Sequence, residues 1–272
     1  MQLALVQFEP RGTVAGNREH VEERVREAAA DGADLVVLPE IWNVGYFAFD
    51  RYEADAEPLD GETVSAVRSL AAEVGIPIHA GSIVERDGDD LYNTSVYVDD
   101  AGEVRATYRK MHLFGYESAE NELLTPGDEV VCFETAFGTV GLATCYDLRF
   151  PALFRAMSDR GVDLLLVTSA WPLARLDHWS LLTRTRALEH QCVLAAANGV
   201  GPNEGVELGG HSCVVDPWGT PVANAGGREG TIHARVDPAT VGESRAEFPT
   251  LADRRIDVRY DVGDPREGEL ND

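Results

Sequence analysis

Lysine is all but missing from this chain: of 272 residues only Lys110 is one, and arginine is the other basic residue throughout. Cationic residues are scarce altogether, 23 Lys plus Arg against 47 Asp plus Glu, for a formal net charge of −24. So acidic a surface repels phosphate, which argues against binding to nucleic acid or to an anionic membrane. No apolar run approaches the roughly 18 residues of a membrane-spanning helix. The opening MQLALVQFEP lacks the basic residues and small-residue cleavage site of a secretory signal. A soluble, cytoplasmic protein with no membrane partner is expected. Cysteines number four, with no C-x-x-C, which excludes zinc-ribbon and thioredoxin-like sites and leaves free thiols as the expectation. The seven histidines show no H-x-H or H-E-x-x-H spacing, and there is no G-x-G-x-x-G or P-loop, so neither a metal nor a nucleotide cofactor is expected. DGDD at 87–90 reads as a hairpin turn rather than a calcium loop, and the glycosylation sequon Asn93-Thr94-Ser95 as chance.

What is present is enough apolar material for a sizeable core, 44% of the residues. The acidic residues are spread along the chain without forming a tail, which suggests adaptation to high salt, where screening removes self-repulsion. Short apolar strands alternate with amphipathic helices. Residues 2–8 read as a strand, then a helix capped by Asn17 with Val21, Val25 and Ala28 on one face and a Glu22–Arg26 pair on another. Residues 34–38 form the next buried strand, and Asp60 caps a second helix carrying Val64, Val67 and Leu70, closed by Gly75 before a strand at 76–84. A hairpin follows over 91–110, then strands near 130–134 and 139–145, and a helix near 150–160. A strand at 163–171 and a helix over 176–191 precede another hairpin and a last strand near 231–236. No linker or repeat divides the chain. One α/β domain is expected, with the charged final 25 residues either wrapping a partner subunit or lying loose.

Three reactive residue types stand at strand ends, where α/β folds build their sites. Glu40 follows an apolar strand directly and is either a solvated strand terminus or a placed base. Lys110 ends a strand and is followed by apolar residues. It is either an exposed strand-end lysine or an ammonium that needs a carboxylate partner. Cys145 sits between the strand GLAT and a helix that Pro151 can start. It is either a small buried hydrophobe or a nucleophile gaining thiolate character from the helix dipole. Cys132, Cys192 and Cys213 lie among apolar residues and read as inert core fillers. Together the three strand ends suggest a Cys-Glu-Lys constellation: sulfur attacks a carbonyl-type carbon, a carboxylate takes its proton, and an ammonium stabilises the oxyanion.

LVVLPE around Glu40, YRKMHLF around Lys110 and CYDLRFP around Cys145, in that order and spacing, resemble the three signature blocks of the nitrilase superfamily of carbon–nitrogen hydrolases. The resemblance runs from residue 2 to about 260. It implies a hydrolase domain over 1–260 and a tail at 261–272. It also implies an α-β-β-α sandwich that pairs into a homodimer with an α-β-β-α-α-β-β-α core. A second glutamate is implied between the lysine and the cysteine; Glu117, Glu120 and Glu122 are available, and Glu120 matches best, counting back from TPGD. The implied chemistry needs no metal or organic cofactor and uses the backbone N–H of Tyr146 as a further oxyanion donor. CYDLRFP followed by Trp171-Pro172 and His178-Trp179 resembles the amidase branch that includes omega-amidases, which release ammonia from 2-oxo dicarboxylic monoamides. The expected partner is thus a small-molecule amide.

Arg175 either pairs with a substrate carboxylate or balances acidic neighbours at the surface. Tyr46 and Trp171 either line the pocket or fill core. Where the family commonly reads R-A-x-E-N, this chain has RALEH, with His190 in place of Asn. An N-carbamoyl amide hydrolase and a nitrilase are the alternatives within the superfamily. A non-catalytic binding subunit of the same fold is the alternative outside enzymes.

Overall fold

Two six-stranded sheets arise because the apolar runs alternate in which face they bury, and each sheet needs cover on both sides. The computed structural model describes residues 1–116 and 118–255; Glu117, the domain limit at 260 and the tail at 261–272 lie outside the described residues. In chain order the strands of the first sheet are β1 (Gln2–Gln7), β2 (Leu35–Val37), β3 (Ile78–Asp87), β4 (Asp90–Val98) and β5 (Val104–Arg109). The second sheet uses β6 (Cys132–Thr135), β7 (Gly138–Thr144), β8 (Leu164–Ser169) and β9 (Val193–Asn198). A two-stranded ribbon, β10 (Val200–Asn203) and β11 (Val206–Gly209), comes next, followed by β12 (Cys213–Val215) and β13 (Pro221–Asn224) of the second sheet and β14 (Gly230–Arg235), which returns to the first.

The strand orders are β14-β1-β2-β3-β4-β5 and β6-β7-β8-β9-β12-β13. In each, three central strands are parallel and are flanked on both sides by an antiparallel strand, and on one side a further strand pairs antiparallel to that neighbour. The chain therefore uses one topology twice although its sequence carries no repeat. Period-two alternation builds the sandwich. Leu3, Leu5, Leu35 and Val37 face the second sheet's Leu142 and Leu166 in one core. Ala4, Val6, Val36 and Leu38 point the other way, onto α1 (Val14–Ala30) and α3 (Glu62–Val74) through Val21, Val25, Val67 and Leu70. Each such fully buried aliphatic side chain contributes roughly 1.5–3 kcal/mol. On the far side, α5 (Pro151–Asp159) and α6 (Leu176–His190) cover the second sheet with Phe154, Met157, Trp179 and Ala187. The result is the expected α-β-β-α sandwich. Two single-turn helices, α2 (Tyr52–Asp55) and α4 (Glu120–Leu123), sit in the long connections at the site, and α7 (Ala239–Glu247) follows β14.

Several local expectations are corrected. The first helix is capped by Thr13, whose hydroxyl accepts from Gly16 N–H at 3.1 Å, not by Asn17. Asn17 is instead buried within the helix and donates to the Asn43 carbonyl at 2.8 Å, because the turn that follows β2 passes over it. The second helix takes Gly61, not Asp60, as its cap residue, while Gly75 closes it in the left-handed conformation as expected. Cys192 and Cys213 are buried, and burial pushes both thiols up to about 12, but Cys132 is only half-buried because it lies on an edge strand. The ribbon β10–β11 and helix α7 had no clear signature, being too short or too polar to show a periodicity.

Candidate active site

The C-terminal ends of β2 and β8 meet across the sandwich, and Glu40 is held between them. Its N–H donates to the Ser169 carbonyl at 3.3 Å, and the Thr168 hydroxyl reaches the Leu38 carbonyl at 3.1 Å. The turn that carries Glu40 is tight. Ile41 adopts φ +41°, a strained value for a β-branched residue. Gly81, at φ +64°, lies so close that a Cβ there would stand 1.9 Å from the Pro39 carbonyl oxygen. That glycine is a steric requirement for the position of Glu40.

Glu40 Oε1 accepts from Lys110 Nζ at 2.9 Å and from Asn93 Nδ2 at 2.8 Å, and Oε2 accepts from the Ala170 N–H at 2.8 Å. Lys110 Nζ also donates to both oxygens of Glu120 at 2.9 Å. Asn93 reaches Glu120 Oε1 at 3.0 Å, while Tyr46 hydroxyl and Phe114 N–H donate to Oε2 at 2.8 and 2.7 Å. The Tyr46 ring lies 5.2 Å from Nζ. Lys110 and Glu120 are wholly buried. Burial alone would push the ammonium down, but the charges of Glu120 and Glu40 outweigh it and hold Lys110 well above its ordinary value. For Glu40 burial pushes the carboxyl up, opposed by Lys110 and reinforced by Glu120, so it is raised overall. A raised carboxyl is a better proton acceptor near neutrality.

Cys145 follows β7 in the left-handed region at φ +45° and opens a short 3-10 turn, Cys145–Arg149, before Pro151 starts α5. A residue turned out of its strand in this way presents its side chain to the cleft, as in a nucleophile elbow. The residue is 8% exposed, and its thiol feels the charges of both Glu40 and Lys110. Its acidity corrects the dipole expectation. Burial, then Glu40, raise the thiol well above its ordinary value, with Lys110 opposing them only in part, because a five-residue turn supplies little dipole and the sulfur is desolvated. The resting sulfur is therefore a thiol, and attack requires a base.

Above the sulfur is a narrow cleft lined by Cys145, Tyr146, Trp171 and Arg175 together with Tyr46 and Arg149. The Arg149 guanidinium lies 4.8 Å from the Trp171 ring, and that of Arg175 lies 5.3 Å from the Tyr116 ring. Neither forms an ion pair with a carboxylate among the described residues, in a chain where acids outnumber bases two to one. The Trp171 indole N–H donates to the Arg175 carbonyl at 2.8 Å, and the Trp171 amide to Asn198 Oδ1 at 2.6 Å, which fixes this wall.

The structure thus brings Glu40, Lys110, Glu120 and Cys145 to one place, with Tyr46 hydrogen-bonded to Glu120 and lining the cleft alongside Tyr146, Trp171 and Arg175. Among the loop glutamates Glu122 is exposed and Glu117 lies outside the described residues. His190 is remote from this cluster: its ring packs on Phe154 at 6.3 Å, and burial with Arg186 lowers it to about 4. Sequence reasoning missed Asn93, set aside as a chance sequon; its side chain is buried between Glu40 and Glu120. Arg149 was also missed, although its place four residues after Cys145 was a usable signal, as was Asp147, which is buried behind the elbow.

The carbon–nitrogen hydrolase family matches residues 2–246 of the chain. The chain is 41% identical over 234 residues to a protein of Paenarthrobacter nicotinovorans named 2-oxoglutaramate amidase, covering 83% of this chain and 80% of that one. It is 35% identical over 267 residues to the human omega-amidase NIT2, covering 94% and 96% respectively. Among solved structures it resembles a CN-hydrolase superfamily protein of Xanthomonas campestris with an arsenic adduct in its active site, at a TM-score of 0.88 and 32% identity, covering 96% of this chain and 99% of that one.

Proposed function

The chain belongs to the carbon–nitrogen hydrolase family, as an amidase of the nitrilase superfamily, and we propose that Cys145, Glu40 and Lys110, with Glu120, hydrolyse the terminal amide of a small carboxylate. The observation that carries this reading is the buried Lys110 ammonium, 2.9 Å from both Glu40 and Glu120 and 5.2 Å from the ring of Tyr46, which lines the cleft together with Cys145.

Glu40 removes the thiol proton as sulfur attacks the amide carbon. The tetrahedral oxyanion is held by Lys110 Nζ and the Tyr146 N–H; donors of this kind are each worth roughly 3 kcal/mol. Collapse expels ammonia with the proton from Glu40 and leaves a thioester on Cys145. Glu40 then deprotonates a water that attacks the thioester, releasing the acid and restoring the thiol. One water is consumed and one ammonia produced per amide.

The substrate reading rests on the cleft mouth. Arg149 and Arg175, stacked on aromatic rings and without carboxylate partners among the described residues, suit a carboxylate at the far end of the amide. The relatives named 2-oxoglutaramate amidase and omega-amidase agree with a 2-oxo dicarboxylic monoamide. The test is ammonia release at high salt from 2-oxo monoamides, simple aliphatic amides, N-carbamoyl amino acids and nitriles. The 2-oxo monoamides should be turned over fastest, and Cys145→Ala should abolish turnover while melting close to the parent. Carbon dioxide release from carbamoyl compounds, or turnover of nitriles alone, would overturn the assignment.

A homodimer is part of the reading. Leu181 and Leu188, two helical turns apart on α6, are exposed, and Leu188 shares a groove with Trp218 and Phe248, whose rings lie 6.3 Å apart. A second copy covering this face would bury them, and Leu188→Lys should shift the dimer towards monomer in light scattering. A cytoplasmic, high-salt setting fits the reduced thiols and the net charge of −24.

A further inference from the structure

Lys110 and Cys145 come from different sheets, at the ends of β5 and β7, so their separation depends on side-chain contacts across the sandwich. One buried carboxylate makes such contacts. Asp147 Oδ2 accepts from the Thr144 N–H at 2.9 Å and from the Tyr108 hydroxyl at 2.7 Å. Its Oδ1 accepts from the His112 N–H at 3.2 Å and faces His112 Nδ1 at 2.7 Å. Thr144 immediately precedes Cys145, while Tyr108 and His112 lie two residues before and two after Lys110. Asp147 is wholly buried, so these bonds are shielded from competing water. The contact extends towards the oxyanion donor: the His112 ring stacks on Phe150 at 3.8 Å, and Phe150 packs edge-on against Tyr146.

We infer that Asp147 is a positioning residue, fixing the Lys110 ammonium relative to the Cys145 sulfur by tying both flanks of the lysine to the strand end that carries the nucleophile. The inference rests on the reading of Cys145 and Lys110 as catalytic. Asp147 itself has no place in the proton transfers. A carboxylate that merely capped the 3-10 turn would need only the Thr144 contact; the three contacts to the Lys110 segment are what the capping role leaves unexplained.

Asp147→Asn preserves shape, but its amide nitrogen has to face donors on whichever side it turns. Turnover number should fall by about 30-fold, as expected for an unpaired buried donor in a site. KM should stay within about threefold, because the cleft walls are untouched. Alkylation of Cys145 by iodoacetamide, followed peptide by peptide, should slow in parallel. Tyr108→Phe removes one donor and should cost less, and adding it to Asp147→Asn should cost nothing further, since both act on one contact. A folded Asp147→Asn protein with unchanged turnover number and alkylation rate would overturn the inference, as would additive losses in the double variant. If Asp147→Asn does not fold, Tyr108→Phe and His112→Ala decide, and unchanged turnover number and alkylation in both would overturn it. Should the parent release ammonia from no amide, the functional reading fails, while the alkylation rates still test the clamp.

Discussion

Replacing Glu120 with Gln probes the charge balance of the site more sharply than removing the nucleophile. Both carboxylate oxygens of Glu120 meet only donors: Lys110 on each, Asn93 on one, Tyr46 hydroxyl and Phe114 N–H on the other. A glutamine can keep one oxygen in place, but its NH₂ then points at donors. If it turns to the Tyr46 side, the tyrosine hydroxyl can rotate and accept, whereas the Phe114 N–H cannot. One buried backbone donor left unpaired costs about 1–3 kcal/mol, or roughly 5- to 150-fold if expressed in the transition state. The electrostatic consequence has a definite sign. Glu40 is raised first by burial and, against the opposing effect of Lys110, further by the negative charge of Glu120. Removing that charge favours the ionised form of Glu40, so its pKa falls and the base form persists to lower pH. Ammonia release followed across the acid and neutral range should therefore show a lower turnover number, with the acid limb of kcat/KM displaced to lower pH. Glu122→Gln, at an exposed position of the same helical turn, should change neither. A Glu120→Gln enzyme with turnover number unchanged, or with its acid limb moved to higher pH, would refute the argument.

Lys110→Arg keeps the charge but has to fit a planar fork where Nζ makes contacts of 2.9 Å to two carboxylates with no exposed surface. Turnover number should drop by roughly 100-fold or more, and overpacking should lower the melting temperature. Steady-state ammonia release and a thermal melt check both. Arg175→Ala should raise KM for a carboxylate-bearing amide by about tenfold and leave a neutral aliphatic amide unaffected; equal losses on both would place Arg175 outside carboxylate recognition. With a net charge of −24, the melting temperature should rise from millimolar to molar salt, because screening relieves repulsion by more than it weakens surface pairs such as Arg26–Glu73. A melting temperature independent of salt would count against adaptation to brine.

Strand ends, and the reactive residues on them, were legible because they depend on local pattern. An apolar run that stops at Glu40 or Cys145, and the second strand of a hairpin that stops at Lys110, announce a strand and the residue where it opens. The alternation of Leu3 and Leu5 with Ala4 and Val6 likewise encodes two buried faces before any partner is known. Capping needed tertiary context: Thr13 rather than Asn17 starts the first helix because Asn17 is required beneath the Asn43 carbonyl.

By itself, the order of residues determined which elements form, that they build one α/β domain, and which acid, amine and thiol are available at strand ends; the two-sheet sandwich was what the family resemblance implied. The three-dimensional packing decided what those groups become. It put Asn93 between two carboxylates and an Ala170 N–H on Glu40 from 130 residues away, and it singled out Glu120 over the exposed Glu122. It also reversed the expected acidity of Cys145, since desolvation outweighs the dipole of a single turn. Contacts of that kind are set by which surfaces meet when two sheets close on each other, and no periodicity along the chain records them.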